Sequence, residues 1–138
     1  MKKLLSALMI IALCLTMSIP AAVAEVEARD SSHFASYGVY LFDLGGGQMR
    51  VIFSVNAVAK ASHLGIECYW VQQQTSSGWV DVTPVQYIGH GTDVYSYTNA
   101  VTYNCYSGKT YRLVTWFTCT IDGNTHIQSH VSNAITLS

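Results

Sequence analysis

The chain has few charged residues and, beyond its first 24 residues, almost no proline. Charged residues make up 11% of its 138 residues, and only Pro84 follows Pro20. The basic residues beyond position 24 are scattered along the sequence and form no stripe: Arg29, Arg50, Lys60, Lys109 and Arg112. Proteins that bind nucleic acid or anionic membranes cluster their Lys and Arg residues. The sequence therefore argues against both classes of partner.

The sequence also lacks the motifs of catalysis and of metal binding. Its acidic residues are dispersed, with no pair that strand parity forces together as in a glycosidase. The Gly45–Gly47 run has no following Lys-Ser/Thr, so it is not a phosphate loop. His126 and His130 would lie about 13 Å apart on a strand, too far to share a metal ion. We expect a non-catalytic protein without a metal or cofactor.

The first 24 residues have the pattern of a cleavable secretory signal peptide. Lys2 and Lys3 precede an apolar run from Leu4 to Ile19, and Ala22-Val23-Ala24 supplies the small residues that signal peptidase reads. An uncleaved membrane anchor is the alternative, but the run is short for about 20 spanning residues. We predict cleavage after Ala24, a secreted extracellular product with no membrane contact, and a polar leader over residues 25–32.

The remaining sequence is rich in Tyr, Thr, Ser and Val, which is typical of β-sheet proteins. Short β-rich runs alternate with turn residues, and no segment has a helical period of adequate length. Pro84 marks the fourth run as an edge strand or a broken one. The predicted strands cover residues 34–42, 48–58, 64–74, 79–88, 93–103, 109–120 and 125–137.

Two of these runs resemble strands C and F of an immunoglobulin or fibronectin sandwich. Alternation in the third run places Ile66, Cys68 and Trp70 on one face, like the core Trp of strand C. The sixth run begins near Tyr111, which resembles the tyrosine corner of strand F. Residues 33–138 are therefore predicted to form one all-β domain, a seven-stranded antiparallel two-sheet sandwich. A β-barrel is the alternative, and Leu113 replaces the usual second cysteine of antibody-like domains.

The whole chain after the signal resembles the small, uncharacterised secreted β-sandwich domains of Gram-positive bacteria. The resemblance rests on the polar leader, the Ser36–Leu41 segment, the Ser77–Trp79 turn and the Gly108–Arg112 strand start. It implies an extracellular domain, and it implies neither an activity nor catalytic residues.

Three cysteines follow the signal peptide, an odd number for an oxidising compartment. In an antiparallel C–F pair, the start of strand C lies beside the end of strand F. This arrangement predicts a Cys68–Cys119 disulfide, with Cys105 free or paired between chains. The alternative is three reduced cysteines that pack as small hydrophobic residues.

Strand parity predicts one outward face with more apolar surface than a solvated sheet needs. Strand F presents Trp116 and Val114, and strand C presents Tyr69 and Val71. If Asp122–Asn124 forms a three-residue turn, His130 lies beside Trp116. We expect this face to bind an extracellular glycan or protein. The alternatives are a homodimer or self-assembling surface layer, a secreted toxin, or a parity inverted by a β-bulge.

Overall fold

The computed structural model describes residues 32–138; the predicted signal peptide and residues 25–31 of the leader lie outside this range. The described residues form two antiparallel β-sheets that pack face to face. Within residues 32–138, no helix is long and apolar enough to cross a membrane. The strands are β1 (Phe34–Gly45), β2 (Gln48–Ala61), β3 (His63–Thr75), β4 (Gly78–Asp81), β5 (Gly89–Gly91), β6 (Val94–Asn104), β7 (Thr110–Ile121), β8 (Asn124–Val131) and β9 (Ile135–Thr136).

Glycine-containing turns join the longest hairpins. Between β1 and β2, Gly46 and Gly47 have φ values of 60° and 75°. Between β7 and β8, Asp122 and Gly123 have φ values of 51° and 76°. Positive φ at both central residues is the requirement of a type I′ turn, whose twist matches that of paired strands. These turns close both hairpins with two-residue loops.

The strands are divided into a smaller and a larger sheet. The smaller sheet has the order β1-β2-β6. The larger sheet has the order β4-β3-β7-β8, with β5 also paired to β3 and β9 also paired to β7. The inner faces meet in one core of apolar side chains that are almost completely buried, among them Met49, Val51, Phe53 and Val55 from β2, Val71 from β3, and Leu113 and Phe117 from β7. The expected all-β, two-sheet architecture is confirmed.

A tyrosine corner fixes the start of β7. Tyr111 is 1% exposed, and its hydroxyl accepts a hydrogen bond of 3.0 Å from the backbone N–H of Tyr106. The ring contributes to the core while the hydroxyl satisfies a donor in the preceding loop. Tyr111 thus makes the side-chain-to-backbone hydrogen bond that its position in the sequence predicted.

Residues 32–138 form nine strands and not seven, because the last predicted strand is split in two and a short additional strand, β5, forms at Gly89–Gly91 between the fourth and fifth predicted runs. Residues 79–88 do not form one strand, because Pro84 has no N–H for a ladder. The segment still follows β3 through backbone bonds from Val82 to Val71 and between Gln86 and Tyr69. The predicted strand at 125–137 is split into β8 and β9, and at the break the Ser132 hydroxyl accepts a bond from the Leu113 N–H.

Candidate functional site

A β-bulge in β3 decides which side chains the larger sheet presents to solvent. The ladder pairs Ile66 with Phe117 and Cys68 with Trp116, which leaves Glu67 exposed between them. One extra residue moves every later side chain to the opposite face. Tyr69 and Val71 are therefore 3% and 0% exposed in the core. Their predicted outward positions are wrong, and so is the inward position of the partly exposed Trp70.

The β7–β8 turn inverts a second prediction. Ile121 pairs with Asn124, so the turn has two residues and not the expected three. Trp116 consequently lies opposite Ser129, and His130 lies opposite Thr115. The imidazole of His130 is on the inner side of the sheet, with its ring centroid 5.7 Å from that of Tyr37 and 6.4 Å from that of Phe117. The prediction that His130 lies beside Trp116 is wrong, because Asp122-Gly123 favours the shorter type I′ turn.

The same bulge removes the basis of the predicted Cys68–Cys119 disulfide, which the structure does not contain. All three cysteines of residues 32–138 are thiols. Cys119 is buried opposite Leu64, whereas Cys68 lies opposite Trp116 on the other face of the sheet. A disulfide needs Cα atoms roughly 4.4–6.8 Å apart with converging Cβ atoms. Burial raises the pKa of the Cys119 and Cys105 thiols, which disfavours reactive thiolates.

All three tryptophans of the chain lie on the outer face of the larger sheet. Trp70 lies opposite Val114. Trp116 lies opposite Cys68, two residues away along each of the two strands. Trp79 comes from β4, opposite Gln74. Each of the three indoles is partly exposed. We call this surface the tryptophan face and define it by Trp70, Gln72, Trp79, Arg112, Val114 and Trp116.

A chain of polar contacts crosses one end of the tryptophan face. The Nε of Arg112 donates to Gln72 at 2.9 Å, and the Gln72 amide donates to Asp81 at 2.9 Å. The guanidinium carbon of Arg112 lies 4.2 Å from the ring centroid of Trp79, within the range of a cation–π contact. Partial burial lowers the pKa of Arg112, although a guanidinium stays charged at neutral pH. These contacts hold the guanidinium of Arg112, the amide of Gln72 and the carboxylate of Asp81 beside the indoles.

Two indole N–H groups at the centre of the face have no acceptor. The Nε1 atoms of Trp70 and Trp116 are shielded from solvent and have no hydrogen-bond partner within the described part of the chain. An unsatisfied buried donor costs about 1–3 kcal/mol. Because solvent does not reach these N–H groups, a ligand on the surface does not reach them either, and the contacts that the face offers are the exposed parts of the indoles and the polar groups at the rim.

A stacked histidine pair lies where β5 joins the larger sheet. The rings of His63 and His90 have centroids 3.7 Å apart and planes inclined by 26°. His90 pairs with Gly65, where an added Cβ would collide with the carbonyl oxygen of Gly89. Only glycine fits there. Burial lowers the pKa of His63, and the nearby His90 lowers it further, against an opposing effect of Glu67.

The structure retains part of the predicted site and adds residues that parity had missed. Of the five predicted ligand-binding residues, Trp116 and Val114 lie on the tryptophan face, whereas Tyr69, Val71 and His130 do not. Trp70 and Trp79 join them there. In residues 32–138, no group of three or more His, Cys, Asp or Glu side chains is placed to hold a metal ion.

Comparisons with known proteins gave no match: no protein-family model, curated protein or solved structure is similar to this chain.

Proposed function

We propose that this protein is a secreted, non-catalytic binding module that holds a glycan on its tryptophan face. The observation that carries the proposal is the position of all three tryptophans on one outer sheet face. The core of the domain is already closed by Phe, Tyr, Val, Leu and Met side chains. Large aromatic side chains placed outside a closed core are typical of a recognition surface.

The chemistry of the face favours a glycan over an apolar ligand. Indole rings offer flat apolar surfaces on which the C–H faces of a sugar ring can stack. Gln72, Arg112 and Asp81 offer donors and acceptors at the rim, where sugar hydroxyls need them. The charges of Arg112 and Asp81 offset each other, so a neutral sugar suits the face better than a strongly charged one.

The same proposal includes the type of sandwich fold and export from the cell. The strand order β1-β2-β6 facing β4-β3-β7-β8 and the tyrosine corner at Tyr111 support an immunoglobulin- or fibronectin-like sandwich. The sequence of residues 1–24 supports export, and N-terminal sequencing of the exported product should begin at Glu25. A product that begins at Met1 would contradict the signal peptide and leave the sandwich itself unaffected.

A glycan array tests the ligand. We expect the chain from Glu25 to Ser138, which contains every strand, to capture a subset of neutral glycans. Trp116→Ala and Trp70→Ala should each weaken capture by about tenfold or more, because each removes a stacking surface worth about 1.5 kcal/mol.

Tyr95→Ala is the matched control for loss of an exposed aromatic ring. Tyr95 is 61% exposed and lies on β6, in the smaller sheet. Capture should survive this substitution, and circular dichroism should show the same β-type spectrum for all variants. Capture of no glycan by the wild-type chain would overturn the proposal. Equal losses with Tyr95→Ala and Trp116→Ala would place the site elsewhere.

A further inference from the structure

The two sheets differ in how their edges are protected. In the larger sheet, one edge consists of β4 and β5, with four and three residues and Pro84 between them, and the other consists of β8 and β9, with eight and two residues. Short strands and proline are common devices against edge-to-edge pairing. In the smaller sheet, the edge strands β1 and β6 have 12 and 11 residues. The smaller sheet therefore presents long backbone edges.

Strand β1 has the chemistry of an unprotected edge. No charged residue or proline occurs between Phe34 and Phe42. The register with β2 is continuous from Ser36 to Asp43, and the irregularities fall only at the two ends of the strand. Within residues 32–138, the backbone from Ser36 to Phe42 makes hydrogen bonds to β2 and to no other strand. Alternate N–H and C=O groups along its other side face outward.

We propose that β1 pairs with β1 of a second copy of this chain, antiparallel and centred on Val39, to form one six-stranded sheet across the dimer. A two-fold axis is the commonest symmetry of homo-oligomers, and it closes the interface after two copies. This inference does not depend on the glycan proposal, because the tryptophan face belongs to the other sheet.

The side chains of β1 are compatible with this register. The outward set of the strand has two small residues followed by two large ones: Ser36, Gly38, Tyr40 and Phe42. The ring of Tyr40 lies back over Gly38 of its own strand, where an added Cβ would be 3.2 Å from the Tyr40 hydroxyl oxygen. Pairing about Val39 places Tyr40 opposite Gly38 and Phe42 opposite Ser36, so two large side chains never occupy directly opposed positions of the shared ladder.

Charge does not oppose the pairing. Asp43 is the one ionised side chain in the continuous part of β1, Ser36 to Asp43, and it lies at the end of that part. Its carboxylate accepts hydrogen bonds of 2.9 Å from the backbone N–H groups of Gly45 and Ser138. These bonds lower the pKa of Asp43, with the bond to Ser138 as the largest cause. The two Asp43 side chains lie at opposite ends of the shared ladder, so they do not repel each other closely.

Sedimentation velocity of the Glu25–Ser138 chain, at low micromolar to near-millimolar concentration, tests the dimer. We expect the mass to rise from one chain to two. The double variant Tyr40→Lys/Phe42→Lys should weaken association by about tenfold or more, because it places like charges along one ladder. Both positions are about half exposed, so the monomer should keep its fold.

The double variant Thr98→Lys/Ala100→Lys is the matched control. It adds the same charge to β6, on the same outer face of the smaller sheet. This control should dimerise like the wild type, and hydrogen exchange should show added protection at residues 36–43 in the dimer. A wild-type chain that stays monomeric throughout would overturn the proposal. Equal losses in both double variants would also overturn it, since they would indicate head-to-tail pairing of β1 with β6.

Discussion

The two sheets of this sandwich bury similar inner faces and differ in what they present outside. The larger sheet has short or interrupted edge strands and an outer face that carries three tryptophans. The smaller sheet has long edge strands whose one charged residue is Asp43, near the end of β1, and small or polar side chains cover much of its outer face. Under the two proposals, the larger sheet contacts the ligand through its outer face and the smaller sheet joins two chains through an edge.

Deletion of Tyr69 should have the largest effect on this division. The deletion either brings Trp70 to the inner position opposite Thr115 with the bulge kept, or brings Cys68 there with the bulge lost. In both cases the core loses a ring that packs on Phe53 with centroids 4.8 Å apart and shares a hydroxyl–hydroxyl hydrogen bond with Tyr103. We expect this variant not to fold, as measured by circular dichroism and thermal melting.

Deletion of Glu67 is the matched control of equal chain length. Glu67 is exposed and unpaired in the ladder, so its removal leaves Ile66 opposite Phe117 and Cys68 opposite Trp116, and this variant should fold with the same faces. A Tyr69 deletion variant that melts cooperatively at the wild-type temperature would contradict the assignment of Tyr69 to the core.

Neighbouring residues of β7 test the inner and outer faces directly. Leu113 is 0% exposed, and Leu113→Ala should lower the free energy of unfolding by about 2–5 kcal/mol. Val114 points to the tryptophan face and is partly exposed, so Val114→Ala should cost less than about 1 kcal/mol. Urea denaturation of both variants measures the difference. Similar costs would mean that the outer face is packed as tightly as the core.

Much of the architecture followed from sequence because turn residues and β-rich runs are local signals. Along β2, the buried Met49, Val51, Phe53 and Val55 alternate with Arg50, Ile52 and Ser54, a pattern typical of a half-buried strand. The position of Tyr111 at the start of a predicted strand likewise indicated a tyrosine corner. Long-range pairing then followed from the number and spacing of strands.

The candidate site was harder to predict because the residues on both faces of this part of β3 are apolar, so the alternation did not distinguish an inner from an outer face. Cys68, Tyr69, Trp70 and Val71 are all apolar, so either face of that segment could be the inner one. A single extra residue at Glu67 decided between them, and a bulge forms through pairing with β7, which is distant in sequence. The turn at Asp122-Gly123 was a local signal for a two-residue hairpin. Reading it that way would have placed His130 correctly.

The tyrosine corner should contribute less than the core does. Tyr111→Phe keeps the ring and removes the acceptor of the Tyr106 N–H bond. We expect a loss of about 1–3 kcal/mol, since a donor in the loop before β7 is left without its partner. Tyr95→Phe, at a ring that is 61% exposed, should leave stability nearly unchanged. Equal urea midpoints for both variants would contradict a structural role for the corner.

The smallest expected effect is a pH dependence from a histidine of the larger sheet that faces the smaller one. Burial lowers the pKa of His130, which contacts Tyr37 and Phe117. An unfolded histidine has a pKa of about 6.5, so near and below that pH the unfolded chain binds more protons than the folded one. Stability should therefore be full above about pH 6.5 and fall as the pH drops towards the lowered pKa of the folded state.

Urea denaturation at several pH values between neutral and mildly acidic measures this slope. The pKa of Tyr37 is raised by burial, so its hydroxyl stays protonated over the whole range and adds nothing to the slope. His63, whose pKa is also lowered, should account for the part that remains in His130→Phe. His126→Phe, at an exposed ring, is the matched control. An unchanged slope in His130→Phe would mean that His130 has the same pKa in the folded and the unfolded chain. In that case water would reach its imidazole between the two sheets.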